Sequence, residues 1–228
     1  ALMGIVADRW VQAQKLLAGC HLLSALFKAG MGMVALSAGE AVAGEFPVLI
    51  LLYALSVAFF MPTLALSNSV SYAALEGVGL DPMKSFPSIR LYGTVGFICS
   101  MIATDVLGFQ ASANQFFMSA LLGVLAAGYA LTLPACPVTR KQEKKSLVDA
   151  LGLNAFTLFK QRKMALFFVF SVLMGVALQI TNGFANPFLN SFASIPEYAD
   201  TFGVRHANVL ISLSQLSETL CLLLIPFA

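Results

Sequence analysis

Polar side chains that could bind a small polar molecule recur at helical spacing inside strongly apolar stretches of this sequence. LSQLSET places Gln215 and Glu218 three residues apart, and QITN places Gln179 and Asn182 at the same spacing. Residues three or four positions apart share one face of a helix. A carboxylate at bilayer depth costs several kcal/mol unless a partner, a cavity or a proton relieves it. The spacing therefore predicts polar helix faces that line a water-filled site.

A third polar face occurs in SIRLYGTVGF, where Arg90, Thr94 and Phe97 are spaced i, i+4, i+7. Three such faces are harder to explain by coincidence than one, although each has an alternative explanation. Amide side chains often join membrane helices through hydrogen bonds worth roughly 1 kcal/mol or less. Arg90 could instead extend to the cytoplasmic headgroups, and Glu218 could belong to a purely structural ion pair.

The composition places the chain in a membrane. Hydrophobic residues make up 59% of its 228 residues and charged residues 11%, with a mean hydropathy of +0.85. A soluble domain carries roughly 25% charged residues, because its surface must face water. The net charge of +2 and the lack of a basic stripe argue against a nucleic-acid partner. The sequence has no Cys/His cluster, catalytic motif or phosphate loop, so we expect no metal, no cofactor and no enzymatic activity.

Apolar runs of about 20 residues predict membrane-spanning helices. Five runs qualify, a sixth closes the chain, and a short run at the start looks like the remnant of another helix. We predict spans at Leu16–Ala38, Pro47–Ala73, Ser88–Gly108, Gln115–Leu133, Met164–Phe188 and Ala207–Phe227, after a remnant at Ala1–Ala7. Because both ends stop within apolar segments, we expect the chain to be part of a larger protein whose activity it cannot perform alone.

The distribution of Lys and Arg between the connections predicts the orientation. One set of connections carries most of the cations: Arg9, Lys15, Lys84, Arg140, Lys141, Lys144, Lys145, Lys160, Arg162 and Lys163. The alternate set carries mainly acids, namely Glu40, Glu45, Asp105, Glu197 and Asp200, with Arg205 as its one cation. We therefore assign the first set to the cytoplasm and the alternate set to the outside.

The longest polar connection, residues 134–163, separates two groups of helices. It begins with the basic, proline-bounded stretch PACPVTRKQEKK and continues with apolar residues at helical spacing from Leu147 to Leu158. Ser146 and Asp149 could cap such a helix. The pattern predicts a short helix on the cytoplasmic surface, where the neighbouring cations favour anionic lipid. A flexible linker is the alternative.

Several stretches resemble a known family. GIVADRW resembles the loop signature after the second helix of major facilitator transporters, and Gly4, Asp8 and Arg9 match its residue types, which implies a gating role. FMPTLALSNSVSY, FPSIRLYGTVGF, SLSQLSET and the run Leu151–Leu189 are more specific. Together they resemble the bacterial nucleoside:proton symporters, a branch of the major facilitator superfamily. The similarity is weakest over Ser24–Glu45, where this sequence is longer than the family pattern.

The resemblance implies an all-α transmembrane fold of two six-helix bundles, of which this chain holds the end of helix 2 through helix 8. Residues 1–133 would belong to the N-terminal bundle, 134–163 to the cytoplasmic linker and 164–228 to the start of the C-terminal bundle. We expect a monomeric, multi-pass protein of the cytoplasmic (inner) membrane that takes up nucleosides with protons by alternating access. The family's substrate contacts match the residues selected by spacing: Arg90, Thr94, Phe97, Gln179, Asn182, Gln215 and Glu218.

These residues suggest a mechanism. We hypothesise that Glu218 and Arg90 face each other across the cavity, and that proton binding at Glu218 is linked to substrate binding. An acidic residue of the family's tenth helix is the rival for proton coupling.

A transporter for another polar solute, such as a sugar, is the alternative function, and a membrane enzyme or structural subunit is a weaker one. Lys28 lies mid-span without an explanation, and we interpret His21 and His206 as bystanders.

Overall fold

The computed structural model describes residues 6–7, 10–110, 112–136 and 153–224, and it is all-helical over these ranges, which confirms the predicted fold class. The longer helices are α1 (Ala13–Ala38), α2 (Phe46–Gly77), α3 (Pro82–Val106), α4 (Asn114–Thr132), α5 (Arg162–Ser191) and α6 (Ala207–Leu224). Short 3-10 segments lie at Gly39–Glu45, Leu153–Lys160 and Phe192–Ser194, and a single helical turn lies at Phe202–Arg205.

Helices α1 to α5 are each long and apolar enough to cross a membrane, and each overlaps a predicted span. Helix α6 corresponds to the sixth predicted span, whose last residues fall outside the described ranges. Residues 1–5 of the remnant Ala1–Ala7 and most of the predicted surface helix also fall outside them, whereas Val6 and Ala7 are described and helical. The end of that surface helix is described, and it forms the 3-10 segment Leu153–Lys160.

Local sequence signals explain where the helices begin and end. Asp81 caps α3, because its carboxylate accepts the backbone N–H of Met83 at 2.9 Å. Helix α2 continues four residues beyond the predicted end at Ala73, and it stops in a glycine cap. Gly79 has φ 74°, and the N–H of Leu80 reaches back to the carbonyl of Leu75 at 2.9 Å, as in a Schellman motif.

The chain divides into two compact units, and each is described here by itself. Residues 1–86 and 108–146 form the first unit, and residues 87–107 and 147–228 form the second. Most of α3 therefore belongs to the same unit as α5 and α6, although the sequence assigned residues 1–133 to one bundle. The division of the complete transporter into two bundles at the 134–163 linker stays a prediction.

Close helix packing holds the first unit together. Helix α1 packs against both α2 and α4. A Cβ placed on Gly32 would lie 2.8 Å from the ring of Phe117, and one on Gly123 would lie 3.0 Å from the Cβ of Ala25. Small residues allow such approach between membrane helices, whose association depends on van der Waals contact rather than on the hydrophobic effect. Glycine at these two positions therefore sets how closely α1 and α4 can pack.

A buried polar contact and an aromatic pair join α1 to α2. The hydroxyls of Ser24 and Ser56 lie 3.2 Å apart, and both side chains are buried. The rings of Phe27 and Phe59 stack with centroids 5.9 Å apart. A hydroxyl in an apolar surrounding loses its hydrogen bonds to water, so each serine satisfies the other.

Within this chain, the second unit buries less of its helix surface than the first. Helix α5 contacts α6 and the 3-10 segment Leu153–Lys160, yet none of its residues is buried. Apolar side chains along it, including Leu166, Phe170 and Leu173, are exposed. A helix that is apolar all round must be covered by lipid or by other helices. The second unit thus leaves large surfaces of α5 for such contacts.

Candidate functional site

Arg90 and Thr94 form a local polar pair on α3. The Nη1 of Arg90 donates to the hydroxyl of Thr94 at 3.3 Å, and it lies 3.3 Å from the position that a Cβ on Gly93 would occupy. The guanidinium is therefore directed along α3 away from its first residue, Pro82. The alternative explanation, in which Arg90 extends to the cytoplasmic headgroups, required the opposite direction. Thr94 is buried and Arg90 is exposed, so donors of Arg90 remain for a further acceptor.

The other predicted contacts lie on the same unit and remain accessible. Phe97 is 51% exposed on α3. Gln179 and Asn182 are exposed on α5, and Gln215 is half-buried on α6. Among the described side chains, no hydrogen bond joins these amides to one another or to Arg90. Within the described residues, the donors and acceptors of these amides are therefore exposed and could bind a ligand.

The Glu218 side chain and the predicted gating motif lie outside the described part of the structure. Glu218 lies within α6, three residues after Gln215, but its side chain falls outside the described part of the structure. The facing of Glu218 and Arg90 across a cavity therefore stays a prediction. Gly4, Asp8 and Arg9 lie outside the described residues, so their gating role stays a prediction.

The structure adds a contact that sequence reasoning missed. The Nδ1 of His206 lies 2.6 Å from the Oδ2 of Asp105, although the two residues are 101 positions apart. The Asp105 side chain is 2% exposed and that of His206 is 45% exposed. The sequence offered one signal, since both residues fall in the connections assigned to the outside. The contact gives the His206 imidazole a specific carboxylate partner, and the interpretation of His206 as a bystander rather than a proton carrier stays a prediction.

The structure also shows the surroundings of Lys28. Its Nζ lies 4.7 Å from the centroid of the Phe60 ring, which is a cation–π distance. It lines a cavity of about 380 Å3 in the first unit, together with polar groups of Tyr53, Ser56 and Gln115. The aromatic face and the polar lining explain how a mid-span ammonium is accommodated.

One cysteine outside the spans has a defined environment. Cys136 follows α4, and its backbone N–H donates to the Oε1 of Gln14 at 3.1 Å. Burial raises the pKa of the Cys136 thiol, because the thiolate would lose its hydration. The protonated thiol is a weak nucleophile, so this residue has the character of a packing group.

Comparison with known proteins decides the family. Residues 1–228, the whole chain, match the family described as nucleoside H+ symporter. The chain belongs to this family. The resemblance identified from its motifs is thereby confirmed. The chain is also similar to a xanthosine permease and to the nucleoside permease NupG, both of Escherichia coli (strain K12).

The similarity to these permeases extends over the whole chain. The chain is 44% identical to the xanthosine permease over 226 residues and 42% identical to NupG over 227 residues. These alignments cover 99% and 100% of this chain but 52% of each relative. The chain thus spans about half the length of the curated relatives that it matches.

Solved structures of NupG show the same fold. A crystal structure of a NupG variant superposes with a TM-score of 0.81 at 42% identity, covering 99% of this chain and 54% of that one. A second NupG structure gives a TM-score of 0.76 at 43% identity, with 100% and 54% covered. With its membrane-spanning helices and permease relatives, this member of the symporter family is a multi-pass protein of the inner membrane.

Proposed function

We propose that this chain is part of a transporter that takes up nucleosides together with protons by alternating access. The observation that carries the proposal is the family match over all 228 residues, combined with 42–44% identity to nucleoside and xanthosine permeases. A second observation supports it, since α3, α5 and α6 carry the predicted contact residues in a single compact unit.

The exposed polar groups fit the chemistry of a nucleoside. Its ribose offers hydroxyls and its base offers both donors and acceptors, which the amides of Gln179, Asn182 and Gln215 can satisfy. Phe97, half exposed on α3, is available to stack on the base. Arg90 keeps donors free beyond its bond to Thr94 and can bind a substrate oxygen or a carboxylate.

Glu218 is the proposed proton-coupling group. As a carboxylate it would accept hydrogen bonds from ribose hydroxyls, and as an acid it would carry a proton through the transport cycle. Each positive charge that moves inward gains about 2.3 kcal/mol per 100 mV of membrane potential. Gly4, Asp8 and Arg9 are the proposed gating motif at the cytoplasmic side.

The remaining assignments follow from the transporter proposal. The partners are a nucleoside, a proton and the lipid bilayer, the protein acts as a monomer, and it catalyses no covalent reaction. A nucleoside is favoured over a sugar as the substrate, because the relatives of this chain include a xanthosine permease and a nucleoside permease.

Uptake of labelled uridine by the complete transporter in energised vesicles tests the proposal. We expect accumulation that a protonophore abolishes and that unlabelled nucleosides, but not sugars, inhibit by competition. Vesicles without the transporter give the background. Uptake of a sugar in place of uridine, or uridine accumulation that persists with the protonophore, would contradict the proposed function.

A further inference from the structure

The contact between Asp105 and His206 joins two helices that carry predicted substrate contacts. Asp105 lies one residue before the end of α3, and His206 immediately precedes α6. Their side chains meet at 2.6 Å, a distance typical of a strong hydrogen bond between a ring nitrogen and a carboxylate. The ends of α3 and α6 are thus held together by one pair of titratable side chains.

The same end of the unit contains a second polar contact between helices. The amide nitrogen of Asn186 on α5 donates to the Oδ1 of Asn208 on α6 at 2.5 Å, and Asn190 in turn donates to Asn186. The two contacts are side-chain hydrogen bonds between α5 and α6 and between the ends of α3 and α6. All three helices are therefore connected at one end, beyond the predicted substrate contacts.

Helix geometry places the Asp105–His206 contact at similar distances from the predicted substrate contacts along α3 and along α6. Phe97 precedes Asp105 by eight residues, which is about 12 Å along α3 at 1.5 Å per residue. Gln215 follows His206 by nine residues, or roughly 14 Å along α6. The two intervals agree, and the charge distribution assigns this end to the outside. The Asp105–His206 contact therefore lies between the predicted substrate contacts and the outside of the membrane.

Asp105 also lies on the face of α3 that points into the protein. Thr94 and Asp105 are the buried residues of this helix. They are eleven positions apart, close to three full turns, so they share one face. Met101 lies between them on that face. A carboxylate at 2% exposure needs partners, and His206 is one of them.

The neighbouring charged groups differ from this pair. Arg205 and Asp200 form an ion pair at 2.5 Å, but both side chains are largely exposed and both lie in the connection before α6. The ring of Phe202 lies 5.0 Å from that of His206, with the two ring planes tilted by 40°. The Arg205–Asp200 pair stabilises one segment, whereas the Asp105–His206 pair connects two helices.

We propose that Asp105 and His206 form an outer gate of the transporter, and this inference rests on the proposed function. In the predicted architecture α3 belongs to the first bundle and α6 to the second, and alternating access moves the bundles against each other around the site. The Asp105–His206 bond holds the outer ends together while the cavity is closed to the outside. It breaks when a nucleoside enters from that side. Both residues act through the position of α3 and α6 and do not touch the substrate.

A cysteine pair tests the gate by locking it. In the complete transporter with its native cysteines replaced, Asp105→Cys and His206→Cys are combined and linked by oxidation or a short thiol-reactive linker. We expect uridine uptake to fall by more than about tenfold on linking, because a gate that cannot open stops the cycle, and to return on reduction or cleavage. The matched control links Asp200→Cys to Arg205→Cys within one segment, and there we expect little change.

A labelling measurement tests the gate without any transport. Met101→Cys provides a thiol on the buried face of α3, inside the proposed gate. We expect His206→Gln and Asp105→Asn each to increase several-fold the rate at which a membrane-impermeant thiol reagent labels it from outside. Arg205→Gln serves as the control and should leave the rate unchanged.

The two measurements separate the gate from the substrate assignment. Unchanged labelling in both gate variants, or full uptake by the linked pair, would overturn the gate. Faster labelling combined with an absence of uridine uptake would support the gate and contradict the nucleoside proposal instead.

Discussion

The two compact units of this chain are held together in different ways. In the first unit α1 is buried along much of its length, and Gly32 and Gly123 bring it into close contact with α4. In the second unit α5 has no buried residue, and its helices are joined by polar contacts at one end. The unit that carries the predicted substrate contacts is thus the one whose helix surfaces are left for contacts with lipid or other helices.

This difference leads to an expectation about how substitutions act. Close packing resists displacement, since each lost contact costs energy that nothing replaces. Exposed helix faces such as those of α5 make fewer contacts within the chain, so a substitution there loses fewer of them. Changes in the first unit should therefore alter stability and spare transport kinetics, whereas changes in the second unit should alter transport and spare stability.

The largest effect is expected at Arg90. Hydrogen bonds to charged groups contribute about 1.5–3 kcal/mol, so Arg90→Gln should lower the initial rate of uridine uptake about tenfold to a hundredfold. Because Arg90 is exposed, the thermal unfolding temperature should hardly change. Arg162→Gln, at the exposed start of α5, is the control. Equal uptake by the two variants would remove Arg90 from the site.

A pair of glycines in α1 tests the packing of the first unit. A Cβ on Gly32 would meet the Phe117 ring at 2.8 Å, so Gly32→Ala should lower the free energy of unfolding by about 1–3 kcal/mol. Gly19 has no atom within 4 Å of its Cβ position, and Gly19→Ala should raise it by roughly 0.5–1 kcal/mol. Thermal unfolding of the detergent-solubilised transporter measures both. Equal shifts in the two variants would show that α1 and α4 are not closely packed.

Thr94 should affect substrate affinity moderately. Thr94→Val preserves shape and removes the acceptor for Arg90, and a typical hydrogen bond of about 0.5–1.5 kcal/mol predicts a KM for uridine raised roughly twofold to tenfold. Thr104→Val is the matched control on the same helix, because its hydroxyl donates to the carbonyl of Ser100. A KM raised equally in both variants would indicate a general effect on α3.

The smallest effect is expected from the Ser24–Ser56 contact. Each single change to alanine leaves one buried hydroxyl without its partner, and should lower the free energy of unfolding by about 1 kcal/mol. The double variant removes both hydroxyls, so its loss should be smaller than the sum of the single losses. Strict additivity in thermal unfolding would mean that the two hydroxyls do not interact in the membrane.

Sequence patterns predicted the helices well because membrane spans are specified by local composition. The runs at Leu16–Ala38 and Gln115–Leu133 agree closely with α1 and α4. The prediction failed at the end of α2, where a run of helix-forming residues continues to a glycine cap beyond the apolar segment. The 3-10 segment Gly39–Glu45 coincides with the region that departs from the family pattern, and periodicity did not indicate it.

The candidate site was predictable in part for the same reason. Spacing places Arg90 and Thr94 on one face from the sequence alone, and the structure joins them by a hydrogen bond. The bond between Asp105 and His206 depends on how two distant helices meet, which periodicity does not describe. Lys28 likewise needed the position of Phe60 on another helix before its surroundings could be understood.

The central claim is that Glu218, in the unit that carries the predicted substrate contacts, couples proton movement to nucleoside uptake. The most direct measurement is uridine accumulation in vesicles under an imposed pH gradient, for Glu218→Gln and for the control Glu197→Gln in the exposed connection before α6. We predict that Glu197→Gln accumulates uridine in response to the gradient. Glu218→Gln should reach only equilibrium, with no response to the gradient. Gradient-driven accumulation by Glu218→Gln at the level of the control would contradict the account and move the coupling group elsewhere.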